Sequence, residues 1–137
     1  MTERRSVFLG YASPVTTEEE ALEFIAKIKK RHSDATHNVY AYILRGSISR
    51  FSDDGEPHGT AGLPVLEVLR KEDVTDAVIV VTRYFGGILL GAGGLVRAYS
   101  ASAKLALDAA LVKECKPFVL FDITCGYGEY QKLGRLF

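Results

Sequence analysis

The chain has 137 residues, enough for one domain of ordinary size and too few for two. Its 17 basic and 17 acidic side chains cancel, so no global field draws it to nucleic acid or an anionic membrane, and any electrostatic partner must be met locally. The 2 cysteines, Cys115 and Cys125, match neither a disulfide framework nor a zinc spacing, and no apolar run reaches the ~20 residues of a membrane helix. With no signal-peptide core in "MTERRSVFLGYASP", the expectation is a cytoplasmic protein with reduced thiols.

In chain order, "SVFLGYA" (6–12) predicts a strand ended by Ser13-Pro14. Thr16 and Thr17 precede Glu19 and Glu20 at capping-box spacing, and Ala21, Leu22, Ile25 and Ile28 follow at helical spacing. Lys27, Lys29, Lys30 and Arg31 suit the negative end of that helix, placed at about 17–32. "NVYAYIL" (38–44) predicts a strand with Tyr40 and Tyr42 on one face, and Arg45-Gly46 turns it into "SISRFS" (47–52). Pro64 fits the first turn of a short helix carrying Leu66, Val68 and Leu69. "DAVIVVT" (76–82) has four consecutive β-branched apolar residues, as an interior strand covered on both faces would. Leu95 to Lys113 predicts the longest helix, with Arg97, Ser100, Lys104 and Asp108 on one polar stripe. From Phe118 a further strand begins. It implies a domain boundary near residue 114, with 115–137 opening a second unit, and leaves residues 118–125 to dock on the first domain or pair with another copy.

Two stretches carry chemistry. "RYFGGILLGAGGLVRAY" (83–99) places Gly86, Gly87, Gly91, Gly93 and Gly94 between a strand and a helix start, where backbone N–H groups can face an anion. Arg83, Tyr84, Arg97 and Lys104 accompany them, and the segment 83–104 holds no acidic residue. The named nucleotide motifs fail: Ala92 stands where a P-loop needs lysine, and Val96 where a dinucleotide fingerprint needs its third glycine. The stretch therefore reads either as an anion or nucleic-acid contact or as a tight turn packing glycine against backbone.

"SDDGEPHGTAG" (52–62) gathers Asp53, Asp54, Glu56 and His58 within six positions. Carboxylates so close can hold a hard cation or move protons, while Asp-Gly and Glu-Pro are also turn-forming pairs. The turn is open to three readings: a partner-facing structural turn, a metal site, or catalysis. His37, ahead of its strand, reads either as a hydrogen-bonded boundary residue or, with the acidic turn, as a partner or metal contact.

Taken together, "ATHNVYAY", "FSDDGEPHGTAGLPVLEVL" and "VVTRYFGGILLGAGGLVRAYS" resemble the signatures of the IMPACT N-terminal domain family in its bacterial YigZ-type branch, over about residues 6–113. The resemblance implies an α+β two-layer sandwich, with a four-stranded sheet and helices on one face, similar to ribosomal protein S five domain two and elongation factor G domain IV. It implies a second, ferredoxin-like domain of which 115–137 would be an incomplete start, and a link to translation. The motifs fall here on His37, Asp53, Asp54, Gly55, Glu56, Pro57, Gly59, Thr60, Arg83, Tyr84, the five glycines and Arg97, and bring no catalytic assignment.

The expected function is a non-enzymatic module that contacts RNA or a ribosome-associated protein, with Arg83 and Arg97 holding phosphate. One alternative is a metal-dependent enzyme on a phosphate ester or nucleotide, with Asp53, Asp54, Glu56 and His58 facing the arginines. The other is a purely protein-binding module. No cofactor is expected, and a divalent metal enters only with the enzyme alternative.

Overall fold

A computed structural model describes residues 1–111. In chain order, β1 (Thr2–Glu3) and β2 (Ser6–Pro14) lead into α1 (Glu18–Arg31). β3 (His37–Leu44), β4 (Ile48–Ser52) and α2 (Gly62–Lys71) follow, then β5 (Ala77–Tyr84) and α3 (Gly91–Leu111). All pairings are antiparallel, in the order β1-β2-β5-β3-β4.

The α+β class stands, and two details of the expected sandwich change. Among the described residues the sheet has five strands, the additional one being the two-residue β1. The helices also lie on both faces rather than one. β5 shows why: its residues are apolar in both parities, with Ala77, Ile79 and Val81 in one cluster and Val78 and Val80 in another. A central strand of that kind must be covered twice. The first cluster joins Phe8, Val39 and Ala41 to Leu66 and Leu69 of α2 and to Tyr99, Ala103 and Leu107 of α3. The second joins Leu9, Tyr11, Tyr42 and Leu44 to Phe24, Ile25 and Ile28 of α1.

Local chemistry sets the ends of these elements. The Thr17 hydroxyl accepts the Glu20 amide at 3.1 Å, and the Glu20 carboxylate takes the Thr16 amide at 2.7 Å and its hydroxyl at 3.1 Å. These bonds, the amide first, hold the Glu20 carboxyl below its ordinary range. Tyr42 donates to Glu18 at 2.8 Å, and burial followed by that carboxylate pushes its hydroxyl up to about 12. Gly46, at φ 81°, lies in the three-residue loop that turns β3 into β4. The start of α2 has no cap from its immediate neighbour. Asp53 supplies it from nine positions upstream, accepting the amides of Gly62 at 2.7 Å, Ala61 at 3.2 Å and Gly59 at 3.0 Å.

α3 begins at Gly91, four residues before the expected Leu95, so Gly93 and Gly94 are helical rather than part of an open loop. Among the described residues no helix is long and apolar enough to cross a membrane. The expected boundary near 114 and the pairing strand at 118–125 lie outside the described residues.

Candidate functional site

Strand register builds the site. Arg83, near the end of β5, stands opposite Phe8 on β2 and His37 on β3. Its side chain is turned inward and is 4% exposed. Nη1 donates to Glu56 Oε2 at 2.6 Å, while Nε and Nη2 reach Ser6 Oγ at 3.3 and 3.2 Å. The guanidinium also lies over the rings of Phe8 and Phe85, at 5.6 and 5.3 Å from their centroids.

Glu56 comes from the acidic turn, and the turn's own geometry delivers it. Asp54 at φ 43° and Gly55 at φ 91° fold the backbone back, and the Glu56 amide bonds Asp53 O at 2.9 Å. The buried carboxylate accepts Tyr99 OH at 2.5 Å as well as Arg83, and His37 Nε2 lies 3.5 Å from its other oxygen. Burial, followed by the Glu56 carboxylate, drives the Tyr99 hydroxyl far above the ordinary tyrosine range, so it stays a proton donor. His37 Nδ1 bonds Asp54 O at 2.8 Å, and Asp54 Oδ2 accepts the Asn38 amide at 2.7 Å. His37 is the first residue of β3, with its ring held between the Asp54 carbonyl and Glu56.

The acidic turn and the glycine stretch therefore meet, joined by one buried ion pair. They do not meet as a metal centre. Among the described residues no group of three or more His, Cys, Asp or Glu side chains is arranged to hold a metal ion. Asp53 caps α2, Asp54 fastens β3, Glu56 neutralises Arg83, and His58 is exposed. Grouping the four around one cation is corrected accordingly.

The proposed phosphate grip also changes. Arg83 already bonds Glu56 and Ser6, so an anion reaching its guanidinium would have to compete with a buried carboxylate. Arg97 is exposed on the side of α3 away from core residues Leu95, Ala98 and Tyr99, and its Nη1 lies 3.2 Å from where a Cβ on Gly93 would stand. Lys104 is thirteen residues into α3, bound to Asp108 at 2.7 Å and lying 3.7 Å from Glu72. Tyr84 OH is engaged with His32 at 2.7 Å and Asp34 at 2.9 Å. The two arginines and Lys104 thus do not form one electropositive pocket.

The glycines divide by role. Gly87 and Gly91 hold φ 89° and 76°, which favour glycine. Gly86 is needed for contact instead: a Cβ there would come within 2.1 Å of Arg5 O. That contact clamps the β1–β2 turn onto the loop, and Ser6 Oγ accepts the Gly86 amide at 3.3 Å.

A hollow of about 320 Å³ remains open above the ion pair. Arg83, Glu56 and His37 line it together with Pro57, Leu90, Leu95 and the first residues of α3. Phe85 and Leu89 line it too and are 44% and 81% exposed, and Ile88 between them is 39% exposed. Sequence reasoning missed Ser6, Tyr99 and this apolar rim. The available signal for Tyr99 was its position four residues after Leu95, on the core-facing side of the helix.

Residues 4–107 match the Impact N-terminal domain. The chain belongs to the IMPACT N-terminal domain family. It is 50% identical over 134 residues to the IMPACT family member YvyE of Bacillus subtilis, covering 96% of this chain and 60% of that protein. To the family member YigZ of Escherichia coli it is 36% identical over 130 residues, covering 92% and 64%. It therefore spans less than two thirds of the length of either relative. A crystal structure of a hypothetical protein is similar at TM-score 0.76 and 38% identity, over 79% of this chain and 54% of that one. The two-domain translational regulator Yih1 is similar at TM-score 0.51 and 26% identity, over 79% and 43%. The IMPACT motifs thus correspond here to one assembly, in which the acidic turn's glutamate neutralises the arginine that opens the glycine stretch.

Proposed function

We propose that this IMPACT domain is a non-enzymatic module of translational regulation, working in the cytoplasm by docking onto a ribosome-associated partner. The carrying observation is the exposed apolar loop of Phe85, Ile88 and Leu89, of which Phe85 and Leu89 line an open hollow whose Arg83 and Glu56 are already paired. A contiguous exposed apolar patch marks an interaction surface. The likeness to Yih1, a translational regulator, supports the link to translation.

A second reading, contact with RNA, draws on Arg4, Arg5 and Arg97, which are exposed and make no ion pair among the described residues. Co-sedimentation with ribosomes tests both. The expected result is pelleting that Leu89→Asp abolishes. Pelleting that survives Leu89→Asp but is lost in an Arg4→Ala/Arg5→Ala/Arg97→Ala variant, with a steep salt dependence, would favour RNA. No pelleting under either condition refutes the proposal.

A further inference from the structure

We infer that the hollow takes a protein segment that seats one large apolar side chain and carries carboxylates beside it. This rests on the docking reading above and adds the chemistry of the partner.

The hollow's exposed wall is largely aliphatic. Leu89, the most exposed of its large apolar residues, stands with Leu90, Leu95 and Pro57, which offer nothing to a nucleotide base. Of its two aromatic rings, Phe85 already has the Arg83 guanidinium over it at 5.3 Å, and His37 is held between Asp54 O and Glu56. The floor rejects phosphate. An anion reaching Arg83 would meet Glu56, 2.6 Å from the same guanidinium and itself buried, and like charges in such a site repel strongly. An apolar side chain leaves the ion pair intact and displaces only water from the walls. Few buried anchors of this kind supply most of the energy of a protein interface.

Three arginines on segments that adjoin the lining residues, though not in the lining itself, specify what flanks the anchor. Arg4 and Arg5 form the two-residue turn between β1 and β2 at φ 47° and 68°, a conformation that side-chain-bearing residues rarely adopt. Gly86 makes room for the Arg5 backbone, so the turn that carries both arginines packs against the loop that bears Phe85. Arg97 lies back over Gly93 in the first turn of α3. None of the three has an ion-pair partner among the described residues, and residues 77–107 include no acid. A partner with carboxylates around its anchor supplies the missing countercharges, and one with basic flanks is repelled.

The test is a selection of random displayed peptides on the full chain, with Leu89→Asp and Arg4→Glu/Arg5→Glu as parallel baits. Leu89 and both arginines are exposed, so circular dichroism and melting temperature should be unchanged in the variants. Peptides enriched on the natural chain should share one large apolar residue flanked by Asp or Glu. By fluorescence anisotropy, Leu89→Asp should weaken them at least ~10-fold. Arg4→Glu/Arg5→Glu should weaken them by about 5-fold at low salt, an effect that shrinks by about 0.5 M salt. Enriched peptides without acids, no enrichment over the Leu89→Asp bait, or tighter binding of single-stranded RNA than of any peptide would each overturn the inference. Ribosome co-sedimentation on the same proteins separates the two failures. If pelleting depends on Leu89 while the peptides lack acids, the partner chemistry is wrong and docking stands; if pelleting ignores Leu89, docking itself fails.

Discussion

Glu56→Ala removes at one stroke the countercharge of Arg83, the acceptor of Tyr99 and the carboxylate beside His37. Arg83 would remain 4% exposed with only Ser6 Oγ as partner. A buried charge stripped of its partner costs about 3–5 kcal/mol. Against a total stability of ~5–15 kcal/mol for a domain, that is a large share. The melting temperature should fall by roughly 10–20 °C. Urea denaturation followed by circular dichroism should show the lost stability with an unchanged slope. Arg83→Met alone should also be strongly destabilising, because it strands the carboxylate. Glu56→Ala with Arg83→Met should lose much less than the sum of the two single changes, giving a coupling of at least about 2 kcal/mol. If Glu56→Ala cost under ~1 kcal/mol, or the two sites proved additive, the ion pair would not be what joins the acidic turn to the sheet.

Gly86→Ala should destabilise by more than about 2 kcal/mol, since its Cβ would strike Arg5 backbone, whereas Gly93→Ala meets only the tip of Arg97 and should be neutral or stabilising by up to ~1 kcal/mol. Thermal melts of the pair check the contrast. Asp53→Ala, which strips three amides at the start of α2 of their acceptor, should cost about 2 kcal/mol in urea titration, with Asp53→Asn milder. Alkali should also weaken the fold. Tyr99 and Tyr42 keep their protons in the native state to higher pH than in the unfolded chain. Above about pH 10 the unfolded chain therefore binds fewer protons and stability falls, for Tyr42 over the interval up to about 12. Scanning fluorimetry from pH 8 upward should show this loss, and Tyr99→Phe should reduce its steepness at the expense of one hydrogen bond.

Local signals were legible wherever neighbours in sequence are neighbours in space. The α1 cap at Thr17, the loop at Gly46, the shared face of Tyr40 and Tyr42 and the double burial of β5 could all be read this way. The helix arrangement was harder, although β5 contained the correction: apolar residues of both parities call for helices on both faces. The capping of α2 by Asp53 was hidden because it acts across nine residues. The site was half legible. Arg83 and Glu56 stood out by type, but their charge drew attention as ligand chemistry when strand register turns it inward. Sequence alone does not distinguish an arginine that greets an anion from one that is locked to a glutamate 27 positions away.

The last strand among the described residues, β5, lies in the middle of the sheet, hydrogen-bonded to β2 on one side and β3 on the other. On a ribosome the β3–β4 hairpin can form early, but β2 has no lasting partner beyond the short β1 until residues 77–84 emerge. Pairing β2 with β5 then closes a loop of more than sixty residues, the kind of long-range step that slows folding. Until that step is complete, two unfinished strand edges stand open to other nascent chains, so this domain should need prompt completion or a chaperone's shelter during synthesis.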